Sequence, residues 1–154
     1  MRLALYEPDI PQNAGTMMRM AACLGIGLDI IEPCGFRLDD RRLRRAGLDY
    51  LDRLAMRIHE SWLAYGRWRT DALPGSRLLL LSTRAETPYT AFAFRSDDTL
   101  MVGRESGGAT DAVHAAADAR LAIPLARGSR SLNVAVAAAM VLGEALRQTE
   151  GFPT

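Results

Sequence analysis

Lysine is absent from the 154 residues, and all nineteen basic side chains are arginine. A bias in codon usage is enough to explain that absence. Its physical consequence is that every cation can meet a phosphate through a planar, two-pronged contact. Cysteine is scarce: Cys23 and Cys34 form no CxxC pair. Both are expected to stay reduced, Cys23 as a small core residue. His59 and His114 are far apart and lack ligand-like neighbours, so no metal site is expected. Long apolar runs are missing too. The longest, residues 134–142, is too short to span a bilayer. The apolar residues after Arg2 stop at Glu7-Pro8-Asp9, which does not resemble a signal peptide. These absences lead us to expect a cytoplasmic protein with no membrane partner. Neither GxGxxG nor GxxxxGK[ST] occurs, so the familiar dinucleotide and P-loop fingerprints are excluded.

What is present is an ordinary globular composition, 49% hydrophobic and 24% charged. The length suits one domain over residues 1–154, with a core of its own. A net charge of +1 excludes a globally basic nucleic-acid binder. Charge is uneven, however. Residues 37–57 carry seven Arg against four Asp, a local net of +3. Such a run is usually a solvated helix face, and the sharper reading is a phosphate-binding patch.

Apolar runs at residues 2–6, 28–31, 78–81, 99–102 and 121–123 read as strands, with a further ambiguous segment at 54–58. Between them lie helical periods. Residues 13–24 form one, with Pro11 in the first turn and Gly25 after the end. Asp39 or Asp40 caps a short helix that carries the Arg cluster to about Gly47, and Ser61 caps another to about Asp71. Residues 111–117 form a short helix and residues 133–147 a closing one. Alternating elements with continuously apolar strands predict an α/β domain, its mostly parallel sheet flanked by helices. The closing helix is apolar on all sides over 134–142, which predicts burial all round, in the core or in a subunit interface.

Three loops follow strands and carry small or polar residues: 8–19, 103–108 and 124–133. Ligands in open α/β sheets bind at the carboxyl ends of strands, so these loops are the natural site. Each alone has an ordinary explanation: Asn13 as a cap and Arg19 as a solvent-exposed helix residue, the glycines as a turn, and Ser129, Ser131 or Asn133 as a cap.

Together the three loops read Pro11-Gln12-Asn13-Ala14-Gly15-Thr16-Met17-Met18-Arg19, Val102-Gly103-Arg104-Glu105-Ser106-Gly107-Gly108, and Ile123-Pro124-Leu125 followed by Ser129-Arg130-Ser131-Leu132-Asn133-Val134. In order and spacing they resemble the three motifs of the SPOUT-class RNA ribose 2′-O-methyltransferases, from end to end of the chain. Ile31-Glu32-Pro33 and the stretch from Asp40 to Tyr50 resemble the minimal, knot-only branch, which acts on the anticodon wobble nucleotide. The chain departs from the pattern at Val102, where Phe is frequent, at Leu125 in place of Met, in the loop at Arg127-Gly128, and at Ala135, where a Ser hydroxyl is lost.

The resemblance implies a deep trefoil knot at the carboxyl-terminal end and a homodimer. It also implies S-adenosylmethionine as cofactor, with S-adenosylhomocysteine as product, no metal, and tRNA rather than DNA as partner. It puts Leu81, Gly103, Glu105, Ile123, Ser131, Leu132 and Asn133 at the cofactor, and marks Arg19 and Asn13 as catalytic candidates. A guanidinium, with a pKa above about 12, is a poor proton acceptor, so Arg19 suits phosphate binding and alkoxide stabilisation better than base catalysis. Arg41, Arg42, Arg44, Arg45 and Arg130 are the candidate RNA contacts. Alternative expectations are a ribosomal RNA target and a non-catalytic RNA- or cofactor-binding module.

Overall fold

The computed structural model describes residues 1–38 and 54–154. Among these residues, seven strands form one sheet: β1 (Arg2–Tyr6), β2 (Gly27–Ile31), β3 (Met56–His59), β4 (Leu78–Leu81), β5 (Thr87–Pro88), β6 (Thr99–Val102) and β7 (Ala119–Ala122). Their order is β3-β2-β1-β6-β4-β7-β5, and every pairing is parallel. Among the described residues, four helices accompany them: α1 (Pro11–Leu24), α2 (Trp62–Ala72), α3 (Asp111–Ala116) and α4 (Val134–Gln148). The short helix expected over the Arg cluster, with its cap at Asp39 or Asp40, lies outside the described residues.

Alternation along each strand sorts the apolar residues to two faces. Leu3 and Leu5 of β1 point to one layer, with Leu28, Ile30, Leu79, Leu100 and Leu121, against α1 and α4. Ala4 and Tyr6 point to the other, with Ile31, Leu80 and Met101, against Tyr65 of α2 and Val113 of α3. Burial on both faces is why these strands are apolar without interruption. α1 presents Ala14, Met17, Met18 and Ala21 inward, and α4 presents Ala135, Ala138, Val141, Leu142, Ala145 and Leu146. The alanines let the two helices approach closely.

One carboxylate is buried in the sheet. Asp29 of β2 is fully buried and accepts from Arg2 Nε at 2.7 Å, with His59 Nε2 at 2.9 Å from its other oxygen. Trp68 covers this group, with the Arg2 and Arg57 guanidiniums over its ring at 5.2 and 5.0 Å.

Two expectations need correction, a third narrows, and two short elements had not been expected. Cys23 is exposed, not in the core. Helical spacing puts it on the face of Thr16 and Arg19, opposite Ala14, Met17 and Ala21. The expectation for the closing helix narrows to the subunit interface, because within the protomer Val136 and Met140 are 51% and 39% exposed. The last long strand is Ala119–Ala122, because pairing with β4 starts at Leu79 and Ala119, so Ile123 falls just past its end. β5 and the 3-10 turn Tyr89–Ala91 had no sequence signal. A two-residue edge strand containing Pro is below what periodicity detects.

Candidate functional site

The loops that leave the carboxyl ends of β1, β6, β4 and β7 meet along one edge of the sheet, where the chain order reverses around β1. They enclose a cleft of about 760 Å³. Its apolar wall includes Leu81 at the end of β4, Ile123 just past β7, and the exposed Leu132. Its polar wall includes Asn13, Glu105, Arg130, Ser131 and Asn133.

The 103–108 loop folds back on itself. Arg104 and Gly108 exchange backbone hydrogen bonds, N–H to O at 3.3 and 2.8 Å. A Cβ on Gly103 would lie 2.6 Å from Ala109 N and from Gly108 C, so only glycine permits this closure. The carboxyl-proximal loop ends at Asn133, which caps α4: its Oδ1 accepts from Ala135 N–H at 2.9 Å and Val136 N–H at 3.3 Å. Of the three capping candidates, the asparagine takes the role.

Side chains tie the three loops together. Asn133 Nδ2 donates to Asn13 Oδ1 at 2.9 Å. Asn13 Nδ2 donates to Glu105 Oε1 at 3.0 Å. Burial pushes the Glu105 carboxyl above its ordinary pKa, and the facing Asp9 adds to that effect. Burial also works on Asp9, but hydrogen bonds from Glu105 and Ser106 outweigh it and hold that carboxyl down at about 2. The pair therefore holds one firmly ionised carboxylate beside one that keeps its proton more readily.

The structure thus brings together Asn13, Leu81, Gly103, Glu105, Ile123, Arg130, Ser131, Leu132 and Asn133. Arg19 is apart: it is exposed on α1 and does not line this cleft. Arg41, Arg42, Arg44 and Arg45 lie outside the described residues. Among the lining residues that escaped the sequence reading, two carry a chargeable side chain. Arg84, in the loop after β4, pairs with Asp111 at 2.9 Å. His114 of α3 is buried, and its Nδ1 has no partner among the described residues. Burial, and then the nearby Arg84, lower its pKa. Neither residue belongs to a motif, and only the fold carries them to the cleft. Among the described residues, no group of three or more His, Cys, Asp or Glu is placed to hold a metal ion. Among those same residues, no helix is long and apolar enough to cross a membrane.

Comparison with known proteins agrees with this geometry. The family model described as the SpoU rRNA methylase family matches residues 1–143. A protein of Beijerinckia indica subsp. indica, named tRNA (cytidine(34)-2′-O)-methyltransferase, is 62% identical over 146 residues, covering 95% of this chain and 90% of that one. A solved structure described as giving structural insights into the 2-OH methylation of C/U34 on tRNA is 43% identical with a TM-score of 0.88, covering 96% of this chain and 94% of that one. The methyltransferase AviRb of Streptomyces viridochromogenes, solved in complex with the cofactor AdoMet, is 27% identical with a TM-score of 0.86, covering 96% of this chain and 60% of that one. With the parallel sheet, the three joined loops and a match over nearly the whole length, the chain belongs to the SpoU rRNA methylase family.

Proposed function

We propose that this protein transfers a methyl group from S-adenosylmethionine to the ribose 2′-oxygen of the wobble nucleotide, cytidine or uridine 34, of tRNA. The observation that carries this reading is the hydrogen-bonded chain Asn133–Asn13–Glu105, which joins three distant loops around one cleft. The names of relatives that match over nearly the whole chain support the substrate.

The residues present fit an adenosyl cofactor. The cleft has the volume of a small-molecule site, with apolar walls and a few convergent polar groups. Glycine at 103 lets the loop close against Gly108 and Ala109, which sets the shape of this wall of the cleft. Leu81 and Ile123 would flank the adenine, the backbone near Gly103 and Ser131 would hydrogen-bond it, and Glu105, Leu132 and Asn133 would shape the pocket. When bound, the cofactor supplies a methyl carbon already activated on a sulfonium, so the reaction we propose needs no metal.

The chain's own residues then align the nucleophile. Asn13 is held by Glu105 on one side and Asn133 on the other, which fixes its amide at the cleft, where its proposed part is to meet the RNA. Arg19 binds a substrate phosphate and stabilises the developing alkoxide. Arg41, Arg42, Arg44 and Arg45, proposed on their sequence pattern, and Arg130 at the cleft grip the backbone of the RNA.

We further read the protein as a cytoplasmic homodimer of a single domain, with a deep trefoil knot at its carboxyl-terminal end. The exposed Val136 and Met140 on α4 support the dimer, because an apolar helix face needs cover. A second copy also offers a route for Arg19, exposed outside its own cleft, to reach a neighbouring site.

The test is methyl transfer from labelled S-adenosylmethionine to tRNA, mapped by nuclease digestion and mass spectrometry. Label on the ribose of nucleotide 34 is expected. Label on ribosomal RNA alone, or on no RNA, overturns the reading.

A further inference from the structure

Asp9 lies between β1 and α1, outside the motif residues, and the sequence gives it only the role of a loop residue. In the fold it ties two loops at the rim of the site. Its Oδ1 accepts from Glu105 N–H at 2.9 Å. Its Oδ2 accepts from Ser106 N–H at 3.2 Å and from the Ser106 hydroxyl. Its own N–H donates to Glu105 Oε2 at 3.1 Å. Two residues earlier, Glu7 pairs with Arg104. From behind, Gly35 packs so closely that a Cβ there would lie 2.7 Å from Asp9 Cβ, while its N–H donates to Pro8 O at 2.9 Å. The Asp9 backbone therefore has little room to move.

We propose that Asp9 is a positioning residue for methyl transfer: its carboxylate locks the 103–108 loop onto the 7–13 loop, so that Glu105 can hold the Asn13–Asn133 pair. The inference rests on the methyl-transfer reading of the same cleft. With Oε2 of Glu105 occupied by Asp9 N–H, Oε1 is directed to Asn13 Nδ2. Asn13 Oδ1 is then left for Asn133. Without the lock, Glu105 turns freely and the amide of Asn13 loses its fixed orientation.

The exchange Asp9→Asn separates this role from mere support. It keeps the shape, but it places an amide NH₂ opposite one of the donors that Asp9 now accepts, and it removes the charge facing Glu105. The experiment compares wild type, Asp9→Asn, Glu105→Gln and the double variant in steady-state methyl transfer to tRNA across pH, with melting temperatures alongside. Asp9→Asn is expected to lower kcat about tenfold or more, with KM for tRNA within about twofold of wild type. Its acidic limb is expected to move to lower pH, because Glu105 without an anionic neighbour releases its proton more easily. In the Glu105→Gln background the same exchange is expected to cost less than about threefold, since both act through one contact. Ser106→Ala, which removes one hydroxyl bond to Asp9 but leaves its charge, is expected to lower kcat in the same direction by less, with the limb in place. An active wild type with wild-type kcat and limb in Asp9→Asn, or losses that multiply in the double variant, overturns the inference and leaves the functional reading standing. An unfolded Asp9→Asn with wild-type kcat in Ser106→Ala also overturns it. A wild type that methylates no tRNA removes the functional reading and this inference together.

Discussion

Asn133 touches Asn13 across 120 residues of sequence, Nδ2 to Oδ1 at 2.9 Å, while its own Oδ1 caps α4. One side chain thus starts the last helix and fastens it to the first. The two duties separate by mutation. Asn133→Asp keeps the cap but loses the donor to Asn13, so we expect a melting temperature near wild type and S-adenosylhomocysteine affinity lower by about tenfold. Asn133→Ala loses both, with an added stability loss of about 1–2 kcal/mol in urea unfolding. Equal affinity loss without any stability difference between the two would contradict this division.

Gly103 is required by space rather than by flexibility. A methyl group there meets backbone atoms of Gly108 and Ala109 at 2.6 Å, which cannot rotate aside. Gly103→Ala is therefore expected to cost about 1–3 kcal/mol and to abolish cofactor binding in calorimetry. Unaltered binding would show that the loop opens at little cost.

How much of this was legible in the sequence differs by element. The strands of the sheet centre were visible because burial on both faces leaves an unbroken apolar run, as at residues 78–81 and 99–102. Ser61 was legible as a cap, and its hydroxyl oxygen accepts from Ala64 N–H at 3.1 Å. The three loops were legible as a set through their resemblance to known motifs. Asp9 and His114 were not, because what matters for each is a partner or a cavity about a hundred residues away or on another element. Cys23 was misplaced because a small apolar side chain fits either face of α1, and only the helical phase decides. Asp29 gave no signal in an otherwise apolar strand. Its acceptability depends on Arg2 and His59, which arrive from both neighbouring strands.

That buried carboxylate yields a prediction of its own. His59→Leu removes one partner and leaves Asp29 with Arg2 alone at the heart of the sheet. Losing one buried hydrogen bond to a carboxylate costs about 1.5–3 kcal/mol, measured as a fall in the urea midpoint. Cofactor affinity should be unaffected, because His59 and Asp29 are not among the residues lining the cleft. A change in affinity with stability intact would mean that the group serves the site.

Arg19 is expected to act on RNA and not on the cofactor. Arg19→Ala should abolish methyl transfer while S-adenosylhomocysteine titrates almost as in wild type. Equal loss of both would assign Arg19 a structural role. For the Arg cluster, Arg41→Ala and Arg44→Ala should weaken tRNA binding and each reduce the salt slope by about 1. An unchanged slope would make the cluster an ordinary solvated face.

The apolar stripe of α4 bears on assembly. Val136→Glu places a charge at a half-exposed apolar position and should turn a dimer into a monomer in light scattering, with activity lost. A Val136→Glu protein of unaltered mass and activity would place the interface elsewhere.

The account depends most directly on three loops forming one binding cleft, and calorimetric titration of the wild-type protein with S-adenosylhomocysteine tests that. The expected result is saturable binding of one molecule per protomer, with a rise in melting temperature at saturation. Absence of both binding heat and thermal shift would contradict it.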